Sequence, residues 1–128
     1  MNNTHLPKIL AIDTSCDDTS VAILEGDKVL SSIVSSQNDI HREWGGVVPS
    51  LAKRAHQEYI QPCIQIALKR AKIKNIKQLQ AIAVTYGPGL APSLEVGIAQ
   101  AKQLSLENNL PLIPQSHGRS FIISSTQK

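Results

Sequence analysis

Seven consecutive residues, Asp13-Thr14-Ser15-Cys16-Asp17-Asp18-Thr19, carry three carboxylates and three hydroxyls between two apolar runs at 9–12 and 20–24. A connection this dense in Asp, Ser and Thr can hold a cation through a carboxylate and offer N–H and O–H donors to phosphate. That chemistry suits a phosphate or nucleotide site, and the same residues also describe an Asx-rich turn that satisfies only its own backbone. A second candidate is Tyr86-Gly87-Pro88-Gly89, which follows the apolar run 79–85 and reads as a sharp strand-to-helix turn. His41 and His56 are the isolated imidazoles, a type that more often satisfies a cap or a core than it catalyses. Cys16 reads as a small buried residue, not a nucleophile.

These residues need elements to hold them. The two runs flanking the acidic stretch predict a hairpin, and Glu25-Gly26-Asp27 predicts a tight turn into a third strand over 28–36. Residues 37–44 are polar. Gly45 and Gly46 then permit unusual backbone angles, and Pro49 suits the first turn of a helix. From 51 to 72 the period becomes helical, with Ala55, Tyr59 and Cys63 on one face and Ile60, Ile64, Ala67 and Leu68 beside it. Pro62 lies inside this run and predicts a kink or two abutting helices. A basic connection at 73–78 leads to a strand over 79–85, and a helix over 92–108 places Leu94, Ile98, Ala101, Leu104 and Leu106 inward. Residues 111–114 make a short final strand. Meander, helix, strand, helix and strand is the order of a ribonuclease-H-like half domain, an α/β fold with a mixed sheet and packed helices.

A chain of 128 residues is about one domain. Its 41% hydrophobic and 18% charged content suits an ordinary globular protein, and 3% aromatic content leaves the core to Ile, Leu, Val and Ala. The net charge of +3 permits an RNA partner without demanding one. Lys69, Arg70, Lys72, Lys74 and Lys77 form the only basic cluster and read as a solvated helix end and loop. Cys16 and Cys63 are too few for a disulfide framework or a zinc site. No apolar stretch approaches a membrane span and residues 1–8 lack the core of a signal peptide, so a cytoplasmic address is expected.

Three motifs together resemble one family: DTSCDDTS at 13–20; SQ-x3-H-x3-GGVVP, followed by Ala52, Arg54 and His56; and GPGL-x2-SL-x-VG from Gly87. In this order and spacing they are similar to the N-terminal lobe of the TsaD family. That family is the catalytic subunit making threonylcarbamoyl-adenosine on tRNA, formerly labelled glycoprotease or O-sialoglycoprotein endopeptidase. The resemblance runs from about Ile9 to Pro114, so residues 1–114 are expected to form an actin-like ATPase N-terminal lobe.

The resemblance implies that Asp13, Ser15, Asp17 and Asp18 lie on the phosphate-side hairpin, with Asp17 and Asp18 catalytic and Asp13 and Ser15 binding the adenylate. Gly87, Pro88 and Gly89 match the second turn, where missing side chains let backbone approach a ligand. His41, Arg54 and His56 match structural or tRNA-facing positions. The implied reaction is attack of a tRNA adenosine amine, next to the anticodon, on the carbonyl of threonylcarbamoyl-adenylate, with AMP leaving. A divalent metal, iron or zinc, would polarise and position that intermediate. The implied partners are tRNA, a paralogous subunit and ATPase subunits of the same complex, with a homodimer or heterodimer through this lobe around Pro62 and no membrane.

The chain also departs from the family pattern. Ser50 replaces a Glu, and Ala91-Pro92 replaces Val-Gly. After Pro114 the metal motif His-x3-His is met only by His117, because Phe121 occupies the second place and cannot bind a metal. No metal ligand is therefore assigned, and 115–128 reads as an atypical tail. A back-translation of Gln115 to Phe121 shifted by one base can read Asn-His-Met-Glu-Gly-His, so a shifted frame from Gln115 is expected. A lobe that ends at Lys128 cannot close over a nucleotide, so this chain alone is expected to be inactive. Two other classes compete: a non-catalytic partner subunit of the same fold, favoured by the missing ligands, and another actin-like ATPase, disfavoured by GGVVP. A protease is the weakest reading, since HExxH is absent.

Overall fold

The computed structural model describes residues 6–16, 18–35 and 49–116. Short apolar runs rich in Ile, Val and Leu produce β1 (Lys8–Asp13), β2 (Thr19–Glu25) and β3 (Lys28–Ser35). Gly26, at φ +61°, makes the β2–β3 turn that its lack of a side chain allows. Then follow α1 (Pro49–Arg70), a 3-10 turn (Ile76–Gln78), β4 (Ala81–Gly87), α2 (Ala91–Asn108) and β5 (Leu112–Ser116).

The five strands form one mixed sheet in the order β3-β2-β1-β4-β5. β1 pairs antiparallel with β2, as Ala11 opposite Ala22, and parallel with β4, as Ala11 beside Ala83. β4 pairs parallel with β5. This is the expected α/β lobe with its opening meander. The order has a consequence for function, because β4 lies directly beside β1 and runs the same way.

Both helices cover one face. Leu10 and Ile12 of β1, Val21 and Ile23 of β2, and Ile82 and Val84 of β4 meet Ile60, Cys63, Ile64 and Ala67 of α1 and Val96 and Ala101 of α2 in one buried cluster. Spacings of three and four on α1 place His56, Ile60, Cys63, Ile64 and Ala67 on a single buried stripe. On the other face Ala11, Ala22 and Ala83 form a second cluster with Ile9 and Ile113.

Several sequence expectations change. α1 is one continuous helix through Pro62, not two abutting helices. Pro62 and Glu58 both lie on the solvent side, so water can satisfy the Glu58 carbonyl that the missing N–H leaves. β4 starts two residues later than expected, because Leu79 N–H still bonds the Ile76 carbonyl of the 3-10 turn at 3.0 Å. β5 runs to Ser116 and accommodates Pro114 because it is an edge strand. Leu106 is 83% exposed rather than inward, since a residue two positions beyond Leu104 turns to the opposite side of a helix.

Candidate functional site at the carboxyl edge of the sheet

Because β1 and β4 are parallel neighbours, the residues after Asp13 and after Thr85 leave the sheet at the same edge. The crevice outside the carboxyl ends of strands is where open α/β sheets bind ligands. The β1–β2 loop and the β4–α2 turn meet there.

Asp13 is 5% exposed, and its Oδ1 accepts from the Ser15 backbone N–H at 2.8 Å and from the Ser15 hydroxyl at 2.6 Å. Both residues are buried, and these contacts close a tight Asx turn that sets the loop's path. Asp18 is half-buried on the far limb of the loop, and Asp17 lies outside the described residues.

The second turn comes against the first at Gly89. A Cβ at this position would meet the Ser15 carbonyl and lie 2.9 Å from Ser15 Cβ, so a bare backbone is what lets the two loops touch. Gly87 differs: a Cβ there would find only Leu94 Cδ1, at an ordinary 3.8 Å. The Gly87-Pro88 peptide is cis, and Pro88 is exposed at the rim. Thus the structure brings Asp13, Ser15, Gly87, Pro88 and Gly89 to one edge.

Two further locks were not assigned to the site from sequence. The first is Thr14, whose hydroxyl donates to the Ser93 carbonyl at 2.6 Å and accepts from Gly97 N–H at 3.2 Å. A Cβ on Gly97 would come to 2.7 Å from Thr14 Oγ1, so Gly97 lets the first turns of α2 seat against the end of β1. A glycine in a helix interior was the available signal, because it weakens the helix by about 1 kcal/mol and calls for a packing reason.

The second lock is His56, wholly buried on α1. Its Nε2 is 2.9 Å from the Cys16 carbonyl and its Nδ1 is 2.7 Å from the Thr19 hydroxyl. A carbonyl can only accept, so Nε2 carries a hydrogen. His56 thereby ties both limbs of the acidic loop to α1, a positioning role. His41 lies outside the described residues, and Arg54 is exposed on α1.

Cys16 is exposed, contrary to the buried position expected. Its carbonyl is the group turned inward, to His56, which leaves the thiol outside. Cys63 is the buried cysteine, and burial pushes its thiol pKa up.

Among the described residues no three His, Cys, Asp or Glu side chains come together to hold a metal ion. His117 and Phe121 lie outside the described residues. No helix among the described residues is long and apolar enough to cross a membrane.

An α/β lobe with two polar turns joined at the carboxyl edge of parallel strands is of the actin-like ATPase type. Solved structures agree: YeaZ from Pseudomonas aeruginosa superposes with a TM-score of 0.68 over 87% of this chain and 44% of that one, at 22% identity, which shows the fold alone. Residues 28–127 match the model of the TsaD family, tRNA N6-adenosine threonylcarbamoyltransferase, and the chain belongs to that family. Relatives of that name are 54% identical over 118 residues in Streptococcus mutans and 50% identical over 118 residues in Pediococcus pentosaceus, covering 91% of this chain in each case. The chain spans about a third of the length of these curated relatives, 35% and 33%. The family match runs past Gln115, and β5 pairs Gln115 with Thr85, so the residues just after Pro114 continue the sheet.

Proposed function

We propose that this chain supplies the N-terminal lobe of a transferase that moves a threonylcarbamoyl group from its adenylate to the adenosine amine of tRNA. The observation that carries this reading is the contact of Gly89 with Ser15, which joins the two turns of the family motif into one rim. In the proposed reaction that rim faces the phosphate side of the adenylate. Gly87, Pro88 and Gly89 give it a low wall, Asp13 and Ser15 hold its shape, and Asp17 and Asp18 supply the charge. The tRNA amine attacks the carbamoyl carbonyl and forms the new C–N bond, the bond to the AMP oxygen breaks, AMP leaves with that electron pair, and the amine releases one proton to solvent. No covalent enzyme intermediate is required. A tRNA substrate implies a cytoplasmic address.

The test is a chimera in which residues 1–114 replace the matching part of the Pediococcus pentosaceus relative. Threonylcarbamoyl-adenosine should form on tRNA, and Asp18→Asn should reduce it at least tenfold without loss of fold. A folded chimera with no transfer overturns the reading. Phe121, in place of the second histidine of the family's metal motif, favours a second reading, a non-catalytic partner subunit. In that case the unaltered chain would co-purify with an intact catalytic subunit while the chimera stayed silent.

A further inference from the structure

The basic cluster at the far end of α1 has no role in the rim. Lys69, Arg70, Lys72, Lys74 and Lys77 are all exposed, and no Asp or Glu occurs between Glu58 and Glu95. Among the described residues none of the five is in an ion pair. Lys69, Lys72 and Lys74 line one open groove together with Gln65, Leu68 and Ile73.

The backbone beneath these lysines is closely hydrogen-bonded. α1 ends in a Schellman motif: Ile73 N–H bonds the Leu68 carbonyl at 2.9 Å, Lys72 N–H bonds the Lys69 carbonyl at 3.0 Å, and Ile73 is buried in the core. Next, Asn75 and Gln78 form a capping box, with Asn75 N–H on Gln78 Oε1 at 3.1 Å and Lys77 N–H on Asn75 Oδ1 at 2.9 Å, and Lys74 N–H also bonds Gln78 Oε1 at 2.9 Å. Lys72 sits at the left-handed position of the Schellman motif, φ +60°, where glycine is the favoured residue. A lysine held there keeps a cation against the preference of its own backbone.

We infer that the groove of Lys69, Lys72 and Lys74 is a docking site for the phosphodiester backbone of RNA, an inference that rests on the tRNA reading above. Three exposed cations without a carboxylate partner among the described residues match a run of phosphates, and each contact releases counterions. The groove is separate from the rim. From His56, beside the acidic loop, to Arg70 the helix rises for fourteen residues, roughly 21 Å at ~1.5 Å each. A ligand that reaches both must be a polymer, and the groove would position it instead of reacting with it.

The test is fluorescence anisotropy of an unmodified tRNA transcript with the 128-residue chain over a potassium chloride series. Lys69→Gln/Lys72→Gln/Lys74→Gln should weaken binding at least tenfold and reduce the slope of log affinity against log salt by about 2. Lys72→Gly separates charge from folding, because it removes a phosphate contact while relaxing the turn. It should bind tRNA several-fold more weakly yet melt at or above the wild-type temperature. Wild-type affinity in the triple variant overturns the groove and leaves the tRNA reading standing, whereas a wild-type chain that ignores tRNA overturns both. Polyglutamate binding as tightly as tRNA would point to an acidic protein and overturn the RNA assignment. Displacement of tRNA by inorganic phosphate at equal phosphate concentration would overturn the polymer requirement.

Discussion

The Nε2 of His56 lies 2.9 Å from the carbonyl oxygen of Cys16, which ties α1 to the crest of the acidic loop at a point 40 residues away in sequence. The same ring meets the Thr19 hydroxyl, so a single buried side chain holds both limbs of the loop against the helix. His56→Ala removes two hydrogen bonds inside the protein and leaves their partners without a replacement. The expected loss is on the order of 3 kcal/mol, read from urea unfolding. A loss under about 0.5 kcal/mol would show that the loop holds its own shape.

Gly89 and Gly97 are required for space. Gly89→Ala drives a Cβ into the Ser15 backbone, and Gly97→Ala drives one onto Thr14 Oγ1. Each is expected to lower stability by about 1–3 kcal/mol. Thr14→Ala should recover part of the Gly97→Ala loss, because it removes the clashing atom, and should recover nothing of Gly89→Ala. A double-mutant cycle measures both.

The two cysteines should separate cleanly toward a thiol reagent. Cys16 is exposed and should be modified at once in the native protein. Cys63 is buried, with its ionisation pushed to higher pH, so it should react only after denaturant opens the core. The raised pKa also has a sign for stability. Its contribution is full below the ordinary value of 9.0 and is lost as pH rises through the folded value. Two equally fast thiols in the native state would contradict the packing of α1 on the sheet.

Pro62 leaves the Glu58 carbonyl without its helical donor inside a continuous α1. Pro62→Ala restores that donor on an exposed face, and a gain of about 1–3 kcal/mol is expected in thermal or urea unfolding. A destabilised variant would mean that the proline sets a bend on which the packing depends.

Much of the architecture was legible in local patterns. Short apolar runs bounded by polar turns marked β1, β2 and β3, Gly26 marked the β2–β3 turn, and the three-and-four spacing from Ala55 to Ala67 marked the buried stripe of α1. Pro62 left a kink and two abutting helices both open, because local preference does not show which side of the helix faces water; the structure has one helix there. Leu106 misled because hydrophobicity was weighed without its angle on the helix. Cys16 misled because the inward group at that residue is its carbonyl, which composition cannot show.

The sequence by itself determined the strands, the helices, the acidic loop, the Gly87-Pro88-Gly89 turn and the motifs that place the chain in the TsaD family. All of these depend on neighbours close along the chain. Only the tertiary structure decided that β4 enters the sheet beside β1 and parallel to it. That pairing sets Ser15 against Gly89 and Thr14 against Gly97, and the fold of α1 across β2 and β3 brings His56 under the loop. These contacts join residues 37 to 83 positions apart, so they depend on how the sheet is ordered and on the core that selects that order.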